Sequence, residues 1–130
     1  MRIVLDAWAV AALFNGEPAG RRVGQALKRN ECWMSSVNLG EAYYTSLRER
    51  GEDRTTQLIE DLRHVVRLDH PDWPLVRDAA GIKARGGLSY ADAFCIATAR
   101  RHEAPLYTGD DEIIRLDDIG IEVVDLRRSP

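Results

Sequence analysis

With 130 residues, 45% hydrophobic and 30% charged, the chain has the size and balance of one soluble globular domain, expected to span 1–130. No apolar run approaches the roughly 20 residues that cross a bilayer. The brief apolar N-terminus is interrupted by Asp6 and lacks a small-residue cleavage site, so no membrane role is expected and the location is expected to be cytoplasmic. A net charge of −3 argues against a general nucleic-acid coat, although two bound divalent cations would turn that balance slightly positive.

Arg2–Asp6 (RIVLD) is short, apolar and β-branched, which predicts a buried strand. Ala7–Phe14 continues as helix and stops at Asn15-Gly16; Glu17-Pro18 restarts the chain into a second helix over Ala19–Arg29. Cys32–Met34 is a very short strand. Ser35-Ser36 caps a helix over Val37–Arg50, which Gly51 ends, and Thr55–Arg63 forms the next. Val65–Leu68 is a third strand. Pro71-Asp72 opens a helix to about Arg85, stopped by Gly86-Gly87, and Ser89 caps a helix over Tyr90–Arg101. Pro105–Thr108 is a fourth strand, Asp111–Arg115 a turn or short helix, and Ile121–Val124 the last strand.

Strands separated by helix pairs require crossover connections. The expected fold is therefore α/β, with a central parallel sheet of four to five strands between two helix layers. In such sheets a ligand binds at the carboxyl ends of the strands where the strand order reverses, commonly between the first and fourth. Asp6 ends the first strand and Asp110 follows the fourth. Glu41 lies early in the helix after the second strand, and Asp92 early in the helix that leads into the fourth. The topology alone brings these four acids to one rim.

Each acid also has an ordinary structural reading. Ser89-x-x-Asp92 and Asn38-x-x-Glu41 both match a capping box, Asp6 can cap the helix it precedes, and Thr108-Gly109-Asp110-Asp111 is a turn sequence. Taken together, however, four gathered carboxylates repel one another and raise each other's pKa, which calls for a cation among them. The two cysteines, Cys32 and Cys95, lie far apart in apolar segments and read as reduced core thiols; the histidines lack ligand spacing. An oxygen-only set points to the hard cations Mg²⁺ or Mn²⁺. Two such ions can clamp the attacking and leaving oxygens of a phosphoryl displacement.

Asp6 after the first strand, Glu41 in a capped helix, Asp92 in LSYADAFCIATA and the LYTGDD turn resemble the PIN domain, specifically the VapC-like toxins of bacterial toxin–antitoxin pairs. The resemblance covers nearly the whole chain, and the last two motifs at their mutual spacing are its most specific part. It implies a three-layer α/β/α PIN-like fold and a Mg²⁺- or Mn²⁺-dependent endoribonuclease that cuts structured RNA such as tRNA or ribosomal RNA. It also implies a cognate VapB-like antitoxin and a homodimer. By matching, Asp6, Glu41 and Asp92 are the core acids and Asp110 the fourth, with Asp111 as the alternative. The sequence departs from the family at Ala7, where a Thr or Ser usually follows the first Asp.

No histidine is needed as general base. Phosphates would be met by Arg21, Arg22, Lys28, Arg29 and Arg50, and bases exposed in RNA loops would be read directly. Trp8, Val10, Leu13, Phe14, Tyr43, Tyr44 and Leu47 are more apolar surface than two helices need; most is expected in the core and the rest in a groove for an amphipathic antitoxin helix. The rival of another class is a PIN-like module that binds RNA or protein without cutting, which loss of an acid would favour; all four acids are present.

Overall fold

A computed structural model describes residues 1–129. The elements in order are β1 (Arg2–Leu5), α1 (Ala7–Phe14), α2 (Pro18–Arg29), β2 (Glu31–Ser35), α3 (Ser36–Arg50), α4 (Glu52–Arg63), β3 (Arg67–Asp69), α5 (Trp73–Ala84), α6 (Tyr90–His102), β4 (Leu106–Thr108), α7 (Asp111–Ile114) and β5 (Val123–Asp125). The five strands form one parallel sheet in the order β3-β2-β1-β4-β5. The chain therefore winds outward from β1 in one direction and, after α6, in the other, so the order reverses between β1 and β4.

The alternation of β1 separates two cores. Val4 faces a cluster with Leu75, Ala79 and Ile82 of α5 and the apolar run Ala93–Ala97 of α6. Ile3 and Leu5 face the opposite cluster, built from α1–α4. The sheet is thus buried on both faces, as parallel sheets are. No helix among the described residues is long and apolar enough to cross a membrane. Both cysteines are buried and unpaired.

Three expected boundaries move. The third strand begins at Arg67, not Val65, because the amides of Val65 and Val66 both donate back to the Leu62 carbonyl and finish α4. Val65 is consequently exposed. The last strand is Val123–Asp125, two residues later than its apolar run suggests at the start. The fourth helix begins at Glu52 rather than Thr55, leaving Gly51 alone as the joint between α3 and α4; its φ of 83° is open to glycine at little strain.

Helix α2 approaches the α1 backbone closely at Gly20. A Cβ on Gly20 would lie 2.5 Å from the Ala12 carbonyl oxygen, whereas one on Gly40, in α3, would meet nothing within 4 Å. Gly20→Ala should therefore destabilise the protein by about 1–3 kcal/mol through forced separation of the helices. Gly40→Ala should stabilise it by up to about 1 kcal/mol through helix propensity. Thermal or urea unfolding of the two variants tests the contrast; shifts of the same sign would contradict it.

Candidate metal centre at the β1/β4 switch

The register pairs Leu5 with Tyr107, which sets Asp6 beside Thr108 at the carboxyl ends of β1 and β4. Asp6 caps α1: its Oδ1 accepts from the Ala9 amide at 2.9 Å. Its Oδ2 accepts from the Thr108 hydroxyl. The Thr108 oxygen in turn accepts from the Asp110 amide at 2.9 Å, so one buried hydroxyl joins the two acids across the switch. Ala7 supplies no hydroxyl next to Asp6; the oxygen is donated to from β4.

Asp110 caps the single turn of α7, its Oδ1 accepting from the Glu112 amide at 2.9 Å. The turn before it needs Gly109, since a Cβ there would lie 2.3 Å from the Trp8 indole. Asp92 completes a capping box with Ser89: Ser89 Oγ accepts from the Asp92 amide at 3.1 Å and the Ser89 amide donates to Asp92 Oδ2 at 3.4 Å. For Asp6, Asp92 and Asp110, then, the capping reading and the cluster reading both describe the molecule.

For Glu41 they do not. The cap of α3 is Ser35, whose Oγ accepts from the Val37 amide at 3.2 Å, and Asn38 lies buried inside the helix. Asn38 Nδ2 donates to the Ala91 carbonyl at 2.9 Å and so ties α3 to the first turn of α6, between Glu41 and Asp92. Asn38 Oδ1 is the one buried side-chain polar atom among the described residues without a partner.

Carboxylate oxygens of Asp92, Asp110 and Glu112 lie within 4.8 Å of one another. Asp6 and Glu41 flank this group without being part of it. Glu112 was not singled out from the sequence; its signal was the Asp110-x-Glu112 spacing, which the Asp110 cap folds to one side. Asp111 turns away and pairs with Arg115 at 3.0 Å and Arg127 at 3.3 Å, so Asp110 and Glu112, not Asp111, are the acids of this turn in the cluster.

The cluster is electrostatically compressed. Asp6 and Asp92 are 3% and 6% exposed. Burial, with added repulsion from Asp110 and Asp92, pushes Asp6 up to about 7 against the lowering pull of Thr108 and Ala9. Burial, then Asp110, with a smaller part from Glu41, pushes Asp92 up to about 7 despite Ser89. Glu41 is also raised, by burial first and then by Asp110, while the Asn38 amide lowers it. None of the leading causes of these three shifts is a cation. Five carboxylates, a donor-less amide oxygen and no His or Cys ligand suit a hard divalent cation.

Fold and cluster together define a class: a three-layer parallel α/β protein with an oxygen-only acidic site at the carboxyl ends of its central strands. The chain belongs to the PIN domain family, whose model matches residues 3–119. No curated protein sequence matches the chain. Solved structures similar in fold include one VapC and two VapBC proteins. VapC20 of Mycobacterium tuberculosis, a Sarcin-Ricin loop cleaving toxin, is 22% identical with a TM-score of 0.73, over 86% of this chain and 93% of that one. VapBC2 of Rickettsia felis, bound to a promoter DNA fragment, is 14% identical with a TM-score of 0.77, over 96% and 98%. VapBC-1 of nontypeable Haemophilus influenzae is 20% identical with a TM-score of 0.75, over 98% and 100%.

Two measurements test the electrostatics. Between about pH 4 and 7 the folded chain holds protons on Asp6 and Asp92 that the unfolded chain, with ordinary values of 3.8, has released. Stability without metal must then fall as pH rises through that window. Melting in chelator should drop by several degrees from pH 5 to pH 8, and Mg²⁺ or Mn²⁺ should restore most at pH 8. Asp92→Asn, which keeps an acceptor for Ser89 but loses the charge, should flatten the drop; a chelator profile flat for wild type would refute the repulsion. Thr108→Val preserves shape but orphans Asp6 Oδ2 and the Asp110 amide, and should cost about 1–3 kcal/mol in urea unfolding.

Proposed function

We propose that the protein is a metal-dependent endoribonuclease acting as the toxin of a toxin–antitoxin pair. The observation that carries this reading is the cluster of carboxylates, buried at Asp6 and Asp92 and with no cation paired to it among the described residues, at the strand-order switch of a PIN domain. Asp6, Glu41, Asp92 and Asp110 would hold Mg²⁺ or Mn²⁺, with Glu112 as a further oxygen donor. Such an ion, when bound, supplies positive charge for a phosphodiester and water acidic enough to be deprotonated near neutral pH.

The chain's own residues do the rest. Ser89 and Asn38 fix the first turn of α6 and with it Asp92. Thr108 holds Asp6 and the Asp110 turn in one register, so the acids cannot drift apart when charged. Hydrogen bonds to Asp92 and Asp110 leave Asp92 Oδ1 and Asp110 Oδ2 without a protein donor and free to meet a cation. Hydrolysis leaves one new hydroxyl and one phosphate end on the cut strand.

The substrate class is structured RNA, such as a ribosomal RNA loop or tRNA. The support is the fold likeness to VapC20, a Sarcin-Ricin loop cleaving toxin. An antitoxin partner is supported by the likeness to VapBC proteins. Tyr44 and Leu47 are 49% and 37% exposed on α3 and offer an apolar strip for an amphipathic partner helix, whereas Val10 is core.

Purified protein freed of any partner should cleave RNA with Mg²⁺ or Mn²⁺ and stop on chelation. Asp92→Asn should lose at least about 100-fold in rate, beyond the 10–100-fold typical for removal of a ligand's supporting group. Gel analysis of RNA fragments reads both; equal cleavage by wild type and Asp92→Asn would sink the proposal.

A further inference from the structure

The geometry points to a second phosphate subsite for the RNA strand, in the cleft between α1 and α3, with Arg50 as its anion-binding residue. This rests on the ribonuclease reading and adds a position on the substrate that the acids do not touch.

The basic residues near the site differ in what already occupies them. Arg22 donates to the backbone carbonyls of Asp125 and Arg128 at 3.2 and 2.7 Å, so it ties down the C-terminal segment. Arg127 and Arg128 pair with Asp125. Arg48 lies over the Tyr44 ring at 5.1 Å. Arg50 is held instead by neutral acceptors. Its Nη1 donates to Ser46 Oγ at 2.8 Å and its Nη2 to Asn15 Oδ1 at 2.5 Å, and the guanidinium sits 5.9 Å from the Phe14 ring. Ser46 is itself fixed by a buried hydroxyl pair with Thr55 at 2.7 Å. The side chain, 20% exposed, is positioned mainly by these neutral acceptors and makes one long ion pair. Among the described residues its one carboxylate partner is Glu49, at 3.5 Å and 51% exposed.

Arg50 lines a cleft of about 200 Å³ whose other end carries Glu41 and Asp110. Two rows of α3 at four-residue spacing form one wall: Glu41–Thr45–Glu49 and Ala42–Ser46–Arg50. The Arg50 guanidinium reaches back to Ser46, five residues beyond Glu41 in α3, a helical rise of about 7.5 Å. That exceeds the span of one phosphate, so a strand whose scissile phosphate sits at the acids would present a different phosphate to Arg50. Displacing the exposed Glu49 frees an Nη2 N–H to meet a phosphate beside the unused N–H groups of the guanidinium. Trp8 and Phe14 on the α1 side offer ring surface for a base between the two. A strand of alternating phosphate and base fits a cleft with this order of groups better than a peptide carboxylate does, because only the nucleic acid also has business at the acidic end.

The test compares steady-state cleavage of a short RNA stem-loop by wild type, Arg50→Gln, Arg50→Lys and Glu49→Gln. Arg50→Gln should raise KM about tenfold with kcat changed less than about twofold. It should also reduce the salt slope of RNA binding, measured on the Asp92→Asn background, by about one. Arg50→Lys should recover part of the KM. Glu49→Gln, which removes the competing carboxylate, should lower KM; this variant keeps the test open should Arg50→Gln not fold. Unchanged KM and salt slope in Arg50→Gln, or loss confined to capture of an acidic peptide, would overturn the subsite while leaving the nuclease standing. Absence of any cleavage by wild type would instead fail the underlying reading.

Discussion

The Thr108 hydroxyl is the contact on which the candidate site depends. It donates to Asp6 at the end of β1 and accepts from the amide of Asp110 just beyond β4. Two strands adjacent in the sheet but remote in sequence are thereby locked at the point where their carboxylates would otherwise push apart. The neighbouring packing serves the same end. Trp8, two residues past Asp6, lies flat against Gly109, and any side chain there would lift the Asp110 turn away from α1. Burial around Asp6 and Asp92 then raises the energy of the charged form, so without a cation both acids keep their protons up to about pH 7.

The sheet, its parallel sense and its reversal between β1 and β4 were legible because apolar β-branched runs alternated with helix pairs, and crossover handedness leaves few alternatives. The rim location of the acids followed from that topology. What sequence pattern misread was local. Asn38-x-x-Glu41 has the spacing of a capping box, but Ser35 at the end of β2 captures the Val37 amide first, and Asn38 is left inside the helix with its amide free to reach Ala91. Spacing alone does not say which of several polar residues starts a helix. The shift of β3 has a similar origin: Val65 and Val66 have strand propensity, but their amides are taken by the end of α4.

Glu112 illustrates a different limit. Three consecutive acids, Asp110 to Glu112, look alike in sequence. Which of them faces the site depends on one turn of helix whose start is set by the Asp110 side chain, and on Arg115 and Arg127 drawing Asp111 outward. Those are tertiary facts with no sequence period. The basic residues were likewise legible only as a group. Their division into structural ties, such as Arg22, and a guanidinium held mainly by neutral side chains, Arg50, emerges only when each donor is assigned its acceptor.

Three helices, α1, α6 and α7, begin at this rim, and each begins on an acid or within its first turn. A helix start carries partial positive charge and unpaired amides. Asp6 takes the Ala9 amide, Asp110 the Glu112 amide, and Asp92 reaches back to the Ser89 amide. These contacts explain how the fold can assemble like charges before any cation arrives. α7 is too short to contribute much field, so its share is the single amide bond rather than a dipole. The capping bonds and the cluster are therefore one device. Each cap engages a single carboxylate oxygen and aims the other toward the rim, except at Asp6, whose second oxygen is given to Thr108. Capping alone would have been served as well by serine or asparagine. Carboxylates at all three starts, at the expense of mutual repulsion, make sense where the negative charge itself is the functional property.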